Sequence, residues 1–342
     1  MKRAMKIQST ILSTFIFCIL LLVSQLVAVG STVNHPADGY TSIQAAVDAA
    51  GCGGTVFLAS GTYNERVLIP CGLSLMGAGV GQTIMDGTNL TDANGTPVIG
   101  LGNHPFVEFS FTQDYELANL TIRAGTNTTP QGVATGWTSK VNIHDLEVLG
   151  FRFGITLDLT YDDQIHDVLI VGAGAAVASS RCIYVRERNV DAFRTQLPGG
   201  HMSGLDFHHN VLQDCQSGIE LNNATGAAIQ HNRIERTRSG VRVIGADLTD
   251  IQHNFIANSS LAAVNISNSV SATVQQNTFC SNFSAVRYGQ SSTLLYGFAP
   301  STNNKVHHNT FGLNGNGFLF EDTLLGPANT ENKNVVSADA CQ

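Results

Sequence analysis

Five hexapeptides in the second half of the chain share one pattern: an apolar residue, two polar residues, Asn, any residue, and a second apolar residue. They begin at Phe207, Ile229, Ile251, Val274 and Val306. Looser copies begin at Ile143 and Ile165, so the leading apolar residues are spaced by 22, 42, 22, 22, 23 and 32. A second short pattern follows five of the repeats: GITL from Gly154, GIEL from Gly218, GVRV from Gly240, AVRY from Ala285 and GFLF from Gly317. Both patterns alternate with the period of two that a strand imposes. A unit of 22 residues is too short for a βαβ crossover, which takes about 30. Successive units therefore stack as coils of parallel strands, about 4.8 Å apart, in an all-β solenoid. Asn tolerates left-handed backbone, so the column Asn210, Asn232, Asn254, Asn277 and Asn309 predicts a stacked turn.

The first coils need a cap over their apolar end. Thr41-Ser42-Ile43-Gln44 has a capping-box pattern, and it opens a helix Ile43–Ala50 with Ile43, Ala46, Val47 and Ala50 on one face. The capping helix is placed at about residues 42–50. Upstream, Lys2, Arg3 and Lys6 precede an apolar run from Ile11 to Val23, with Ala28 and Gly30 before a cut at Ser31. That is the layout of a secretory signal peptide, residues 1–30. The alternative is an uncleaved anchor, since Ile11 to Gly30 is just long enough to span a bilayer. No second apolar run of that length follows, so no stable membrane span remains after cleavage. The remaining cysteines are Cys52, Cys71, Cys182, Cys215, Cys280 and Cys341, an even set that suits disulfides in an exported chain. Proximity suggests Cys52 with Cys71, and the spacing has no metal-ligand pattern.

Tyr40 to Gly87 resembles the opening of the pectin-lyase-like, right-handed parallel β-helix superfamily, and of pectinesterases within it. The Asn-bearing coils from 143 to 321 resemble uncharacterised β-helix repeat proteins. The resemblance implies a single right-handed parallel β-helix domain over residues 31–342. It further implies export to a secreted, periplasmic or cell-surface location, and action on acidic polysaccharide. It also implies calcium as a family cofactor, whereas the residues themselves mark no cofactor. The pectinesterase motifs Asp-Phe-Ile-Phe-Gly and Gly-Arg-Pro-Trp are absent; the single Trp137 sits in TGWTS, and Gln213-Asp214 lacks the family's neighbours. Gly200-His201-Met202 is only a partial match to the Gly-His-Gly of polygalacturonases.

The second pattern exposes its middle residue. In coil order one outward column is expected to read Thr156, Ala178, Glu220, Arg242, Asn265, Arg287, Leu319. The next reads Asp158, Ser180, Asn222, Ile244, Ser267, Gly289, Glu321. From the second column to the next leading apolar residue the usual distance is 7, but it is 27 from Ser180 and 17 from Gly289. Two insertions, about 181–204 and 290–303, thus leave one corner and would wall a cleft around Glu220, Arg242, Asn265 and Arg287. The first carries Arg181, Tyr184, Arg186, Arg188, Arg194 and His201. Guanidinium forks bind carboxylates bidentately, so Arg181, Tyr184, Arg186, Arg188, Asn222 and Asn265 are candidate substrate-binding residues. The loop arginines could equally be solvated, or pair with Glu187 and Asp191. Asp158, Glu220, Arg242 and Arg287 are the candidate catalytic residues. Hydrolysis would need two carboxylates about 5–10 Å apart, which nominates Asp158 and Glu220. β-Elimination would need a cation against the uronate carboxylate, which nominates Arg242 and Arg287. Glu220 and Arg242 lie on adjacent coils, which also suits a plain surface ion pair. His209, His231, His253 and His308 share one position with Gln276 and read as a polar ladder.

Only 13% of residues are charged and the net charge is −8. That argues against a nucleic-acid partner, which requires a basic footprint, and against disorder. The expected protein is a monomeric, exported β-helix that binds and degrades or modifies an acidic extracellular polysaccharide, with a lyase ahead of a hydrolase. The rival is a non-catalytic cell-surface or adhesion protein; a periplasmic accessory factor would need a converging His site.

Overall fold

The computed structural model describes residues 30–88, 90, 96–102, 112–125, 131–186, 201–288, 301–320 and 329–341. The expected leader, Arg188, Arg194 and most of both insertions lie outside the described residues. No helix among the described residues is long and apolar enough to cross a membrane.

Every coil repeats the same strand pairing. The leading apolar positions stack in register, Ile143 on Ile165, then Phe207, Ile229, Ile251, Val274 and Val306. All these pairings are parallel. Further along each coil a ten-stranded parallel sheet runs from Val67–Ile69 to Asn316–Phe320. Its inward positions are Ile155, Ile183, Ile219, Val241, Val264 and Val286, all fully buried. These columns meet the stacked leading residues in one continuous apolar core, so the solenoid is filled by side chains along its axis.

The capping helix spans Ile43–Ala50 and buries Ile43, Ala46, Val47 and Ala50, as its periodicity predicts. Ser42 is the N-cap, and its hydroxyl accepts from the Ala45 N–H at 3.1 Å. The reciprocal arm of a capping box is not local. Glu65, from a later turn of chain, accepts instead from the N–H groups of Ile43 (2.9 Å) and Gln44 (3.4 Å). A carboxylate at a helix N-terminus also complements the helix dipole.

The asparagine column forms, but its turn chemistry differs from expectation. The left-handed residue is the one before each Asn: His209, His231, His253, Gln276 and His308, with φ between 55° and 57°. The asparagines themselves are buried. Asn232 shows the repeated unit: its Nδ2 donates to the Phe207 carbonyl (2.8 Å) and to Asn254 Oδ1 (3.0 Å), while its backbone N–H donates to the same Asn254 oxygen (2.9 Å). Each oxygen accepts twice from the coil before, so the buried polar groups of the turn are satisfied. The exposed histidines outside them stack ring on ring, His209–His231 at 5.2 Å and His231–His253 at 5.0 Å.

Cys52–Cys71 pairs as proximity suggested, and Cys182–Cys215 and Cys280–Cys341 complete the set.

Candidate functional site

One outward position of the ten-stranded sheet reads Thr156, Tyr184, Glu220, Arg242, Asn265 and Arg287 in register. The next reads Asp158, Arg186, Asn222, Ile244 and Ser267. The expected places of Ala178 and Ser180 are therefore taken by Tyr184 and Arg186. Arg181, Tyr184 and Arg186 are not loop residues; they form the strand Arg181–Arg186. The cause is a longer corner before this strand. Eighteen residues separate Ile165 from Ile183, against twelve between Phe207 and Ile219. The excess chain of this coil thus divides around the strand, and the part after it begins beyond Arg186, not at 181. Residues Met202–Ser203 rejoin the solenoid by pairing with Ala224–Thr225.

Glu220 is the centre of the face. Its side chain is only 3% exposed, yet its carboxylate meets two guanidinium groups: Arg181 Nε at 3.0 Å from Oε1 and Arg242 Nη1 at 3.3 Å from Oε2. Ser217 Oγ donates to Oε2 at 2.9 Å and Asn222 Nδ2 to Oε1 at 3.4 Å. Both oxygens are occupied. A buried carboxylate demands such compensation, and here it acts as a counter-ion that holds Arg181 and Arg242 in place. Asp158 is likewise buried and receives Arg186 Nη2 at 2.8 Å. The two nominated carboxylates thus sit two coils apart, as expected, but each is committed to an arginine rather than presented to a substrate.

Tyr184 lies between these pairs. The Arg181 guanidinium sits 4.4 Å from its ring centroid and 5.6 Å from that of Phe153, whose ring stacks against Tyr184 at 5.8 Å. Cation–π contacts of this kind order a guanidinium without neutralising it. Burial pushes the Tyr184 phenol above its ordinary value, against the pull of Arg181.

Arg287 is half-buried. Burial lowers its pKa first, and the positive charges of Arg238 and Arg242 lower it further. Arg238, which sequence patterning passed over, lies on the exposed corner just before the strand Ser239–Ile244. Its only signal was adjacency to GVRV. Among the described residues, Arg181, Arg186, Arg238, Arg242 and Arg287 outnumber Asp158 and Glu220 on and beside this face. That is a local excess of positive charge in a chain of net charge −8. No group of three or more His, Cys, Asp or Glu among the described residues is placed to hold a metal ion.

Residues 199–341 match the family model described as a right handed beta helix region. None of the curated protein sequences matches the chain. The surface protein and adhesin PfbA of Streptococcus pneumoniae is 14% identical over 87% of this chain and 97% of its own, with a TM-score of 0.58. DFA-IIIase from Arthrobacter chlorophenolicus A6, solved in complex with GF2, is 11% identical over 92% of this chain and 96% of its own, with a TM-score of 0.57. The mannuronan C-5 epimerase AlgE4 A-module of Azotobacter vinelandii is 17% identical over 89% of this chain and 95% of its own, with a TM-score of 0.47. The right-handed parallel β-helix implied by Tyr40 to Gly87 is borne out, and with it the likeness to pectin-lyase-like proteins at the level of fold.

Proposed function

We propose that the protein binds an acidic polysaccharide along the outer face of the ten-stranded sheet, with Arg181, Arg186, Arg242 and Arg287 as its anion-binding groups. The observation that carries this reading is the local surplus of guanidinium over carboxylate on one face of an acidic chain. Arginine presents a planar fork that matches a carboxylate, and its charge persists at any physiological pH. The fold leaves the class of protein open, because an adhesin and DFA-IIIase share it at nearly equal TM-scores. The side chains favour recognition over hydrolysis. Glu220 and Asp158 hold arginines, so neither stands as the free acid or base that glycoside hydrolysis requires.

A second reading, elimination at a uronate, draws on Tyr184. The guanidinium groups of Arg181 and Arg186 lie 4.4 and 5.9 Å from its ring centroid, so its hydroxyl is a proton-exchanging group near an arginine-bound carboxylate. An exported setting is part of the proposal, since three disulfides persist in oxidising compartments.

The test is a panel of pectate, alginate and glycosaminoglycans, with and without calcium, titrated calorimetrically while ultraviolet absorbance and reducing ends are followed. Binding without either signal is the expected result. New absorbance together with new ends would establish the elimination reading, and reducing ends alone would restore a hydrolase. Arg242→Ala and Arg287→Ala, on the outer face, should each weaken binding roughly tenfold or more, as loss of a charge-assisted contact does. Full retention of affinity by both would move the site elsewhere.

A further inference from the structure

Histidine recurs on the large sheet, where the arginine face makes no use of it. It fills two neighbouring columns at the asparagine turn. His144, His166 and His208 stack on successive coils at 5.0 and 4.8 Å. His209, His231 and His253 stack beside them at 5.2 and 5.0 Å, their rings within 7° of parallel. His208 and His209 join the columns, with their Nδ1 atoms 3.0 Å apart.

The two columns differ in their surroundings. In the first, His144 lies 3.3 Å from Glu116 and 2.8 Å from Asp145, His166 lies 2.9 Å from Asp167, and His208 lies 4.0 Å from Asp206. Protonation there completes ion pairs within the protein. In the second, His209, His231 and His253 are exposed and make no ion pair among the described residues. The charges around this column come from the strands beside it. Asp206 faces His208, and Asp250 faces His253 and His307. Asp167 holds the same left-handed position on the coil before. Arg233 stands beyond the turn, paired with Glu235 and over the Phe255 ring. Gln276 takes the column's next place, and past it come Lys305, His307, His308 and Lys333.

Histidine is the side chain that gains charge between neutrality and pH 5. Neutral rings stack without electrostatic cost. Protonated rings 5.2 and 5.0 Å apart repel, well inside the screening length of about 8 Å at physiological salt. An anion laid over the column relieves that repulsion. The rings recur once per coil, so a line of anionic groups matches them better than a single small ion does. An acidic sugar chain drawn along the solenoid axis supplies such a line.

We propose that His209, His231 and His253 form a second binding site for an anionic polysaccharide, on the large sheet, which fills only when the surroundings turn mildly acidic. The arginine face keeps its charge at any physiological pH, whereas the histidine column adds a grip that acid switches on. The inference stands apart from the arginine-face reading and survives its failure.

Dextran sulfate is the probe, because its sulfate groups stay ionised throughout and only the charge of the protein changes. Calorimetry on the full chain at pH 5.5 and pH 7.5 should show binding at least tenfold tighter at the lower pH. His231→Gln combined with His253→Gln should abolish most of that gain. Gln276 already holds the same position at φ 56°, so the exchange suits the backbone, and circular dichroism at both pH values checks the fold. His144→Gln combined with His166→Gln removes as many histidines from the acid-paired column and should leave the gain within twofold. Arg242→Ala combined with Arg287→Ala should keep the gain, whatever it does to affinity at pH 7.5. In the wild type alone, affinity should fall more steeply with salt at pH 5.5 than at pH 7.5. No gain in the wild type, or equal steepness, overturns the proposal. So does a gain that both histidine pairs diminish equally, or one that disappears with the arginines.

Discussion

At the scale of single residues, the chain separates buried polar groups that hold the fold from those that face a ligand. The ladder asparagines bond twice across each coil junction. Asp163 occupies a similar place with a carboxyl group: fully buried, it accepts from the Val141 N–H at 3.0 Å and from Thr160 Oγ1 at 2.5 Å. Burial pushes its pKa up to about 7, from an ordinary value of 3.8. The native state therefore keeps a proton that the unfolded chain releases above about pH 4. By linkage, Asp163 favours the folded state least at high pH: its contribution declines as pH rises from about 4 to about 7 and then levels. Asp163→Asn keeps an acceptor for Val141 and removes the ionisation. Urea denaturation at pH 5 and pH 8 should show the variant gaining about 1–3 kcal/mol on the wild type between the two. An unchanged difference would mean that Asp163 does not titrate in that window.

At the scale of elements, the strand Arg181–Arg186 is the weak point of the site. Long stretches of chain enter and leave it, so few local connections hold it in register. The disulfide Cys182–Cys215 ties it to the corner that leads into Ser217–Asn222, the strand bearing Glu220. Replacing both cysteines by Ala should cost about 2–4 kcal/mol, and amide exchange should quicken first at residues 181–186. Uniform acceleration along the solenoid would show instead that the bridge acts on the unfolded chain alone. The same strand marks the boundary of what the sequence made legible. Where coils keep a spacing of 22 or 23 residues and a small residue takes the second position of the strand, as at Gly218, Gly240 and Ala263, columns such as Glu220, Arg242 and Asn265 read correctly. At RCIYVR, Cys182 takes that second position, and the corner before it is longer. Periodicity then pointed to Ala178 and Ser180. The ion pairs of Glu220 with Arg181 and of Asp158 with Arg186 followed from that register and so could not be read. Arg238 escaped because it lies on a corner, where neither period applies.

At the scale of the whole molecule, stability and site follow from one translation repeated along an axis. Contacts run between neighbouring coils, so a coil can be removed if the register on either side is kept. Residues 229–250 make one coil: Ala228 pairs with Asp250 and Ile229 with Ile251. Deletion of 229–250 should leave a folded, β-rich protein with a lower melting temperature, because Ile251 then stacks on Phe207 and Asn254 on Asn210. It also removes Arg238 and Arg242, so polyanion affinity should fall at least tenfold. Loss of cooperative melting would show that coils are not interchangeable units.

The asparagine ladder carries a consequence for descent. Each junction hands the same pair of hydrogen bonds to the next, so any coil ends as its neighbour begins. Unequal recombination between gene segments can then add or drop a turn while the ladder closes again across the join. The length of the track on the outer face, and the spacing of its arginines, can in this way change by whole steps from one lineage to another without the scaffold being redesigned.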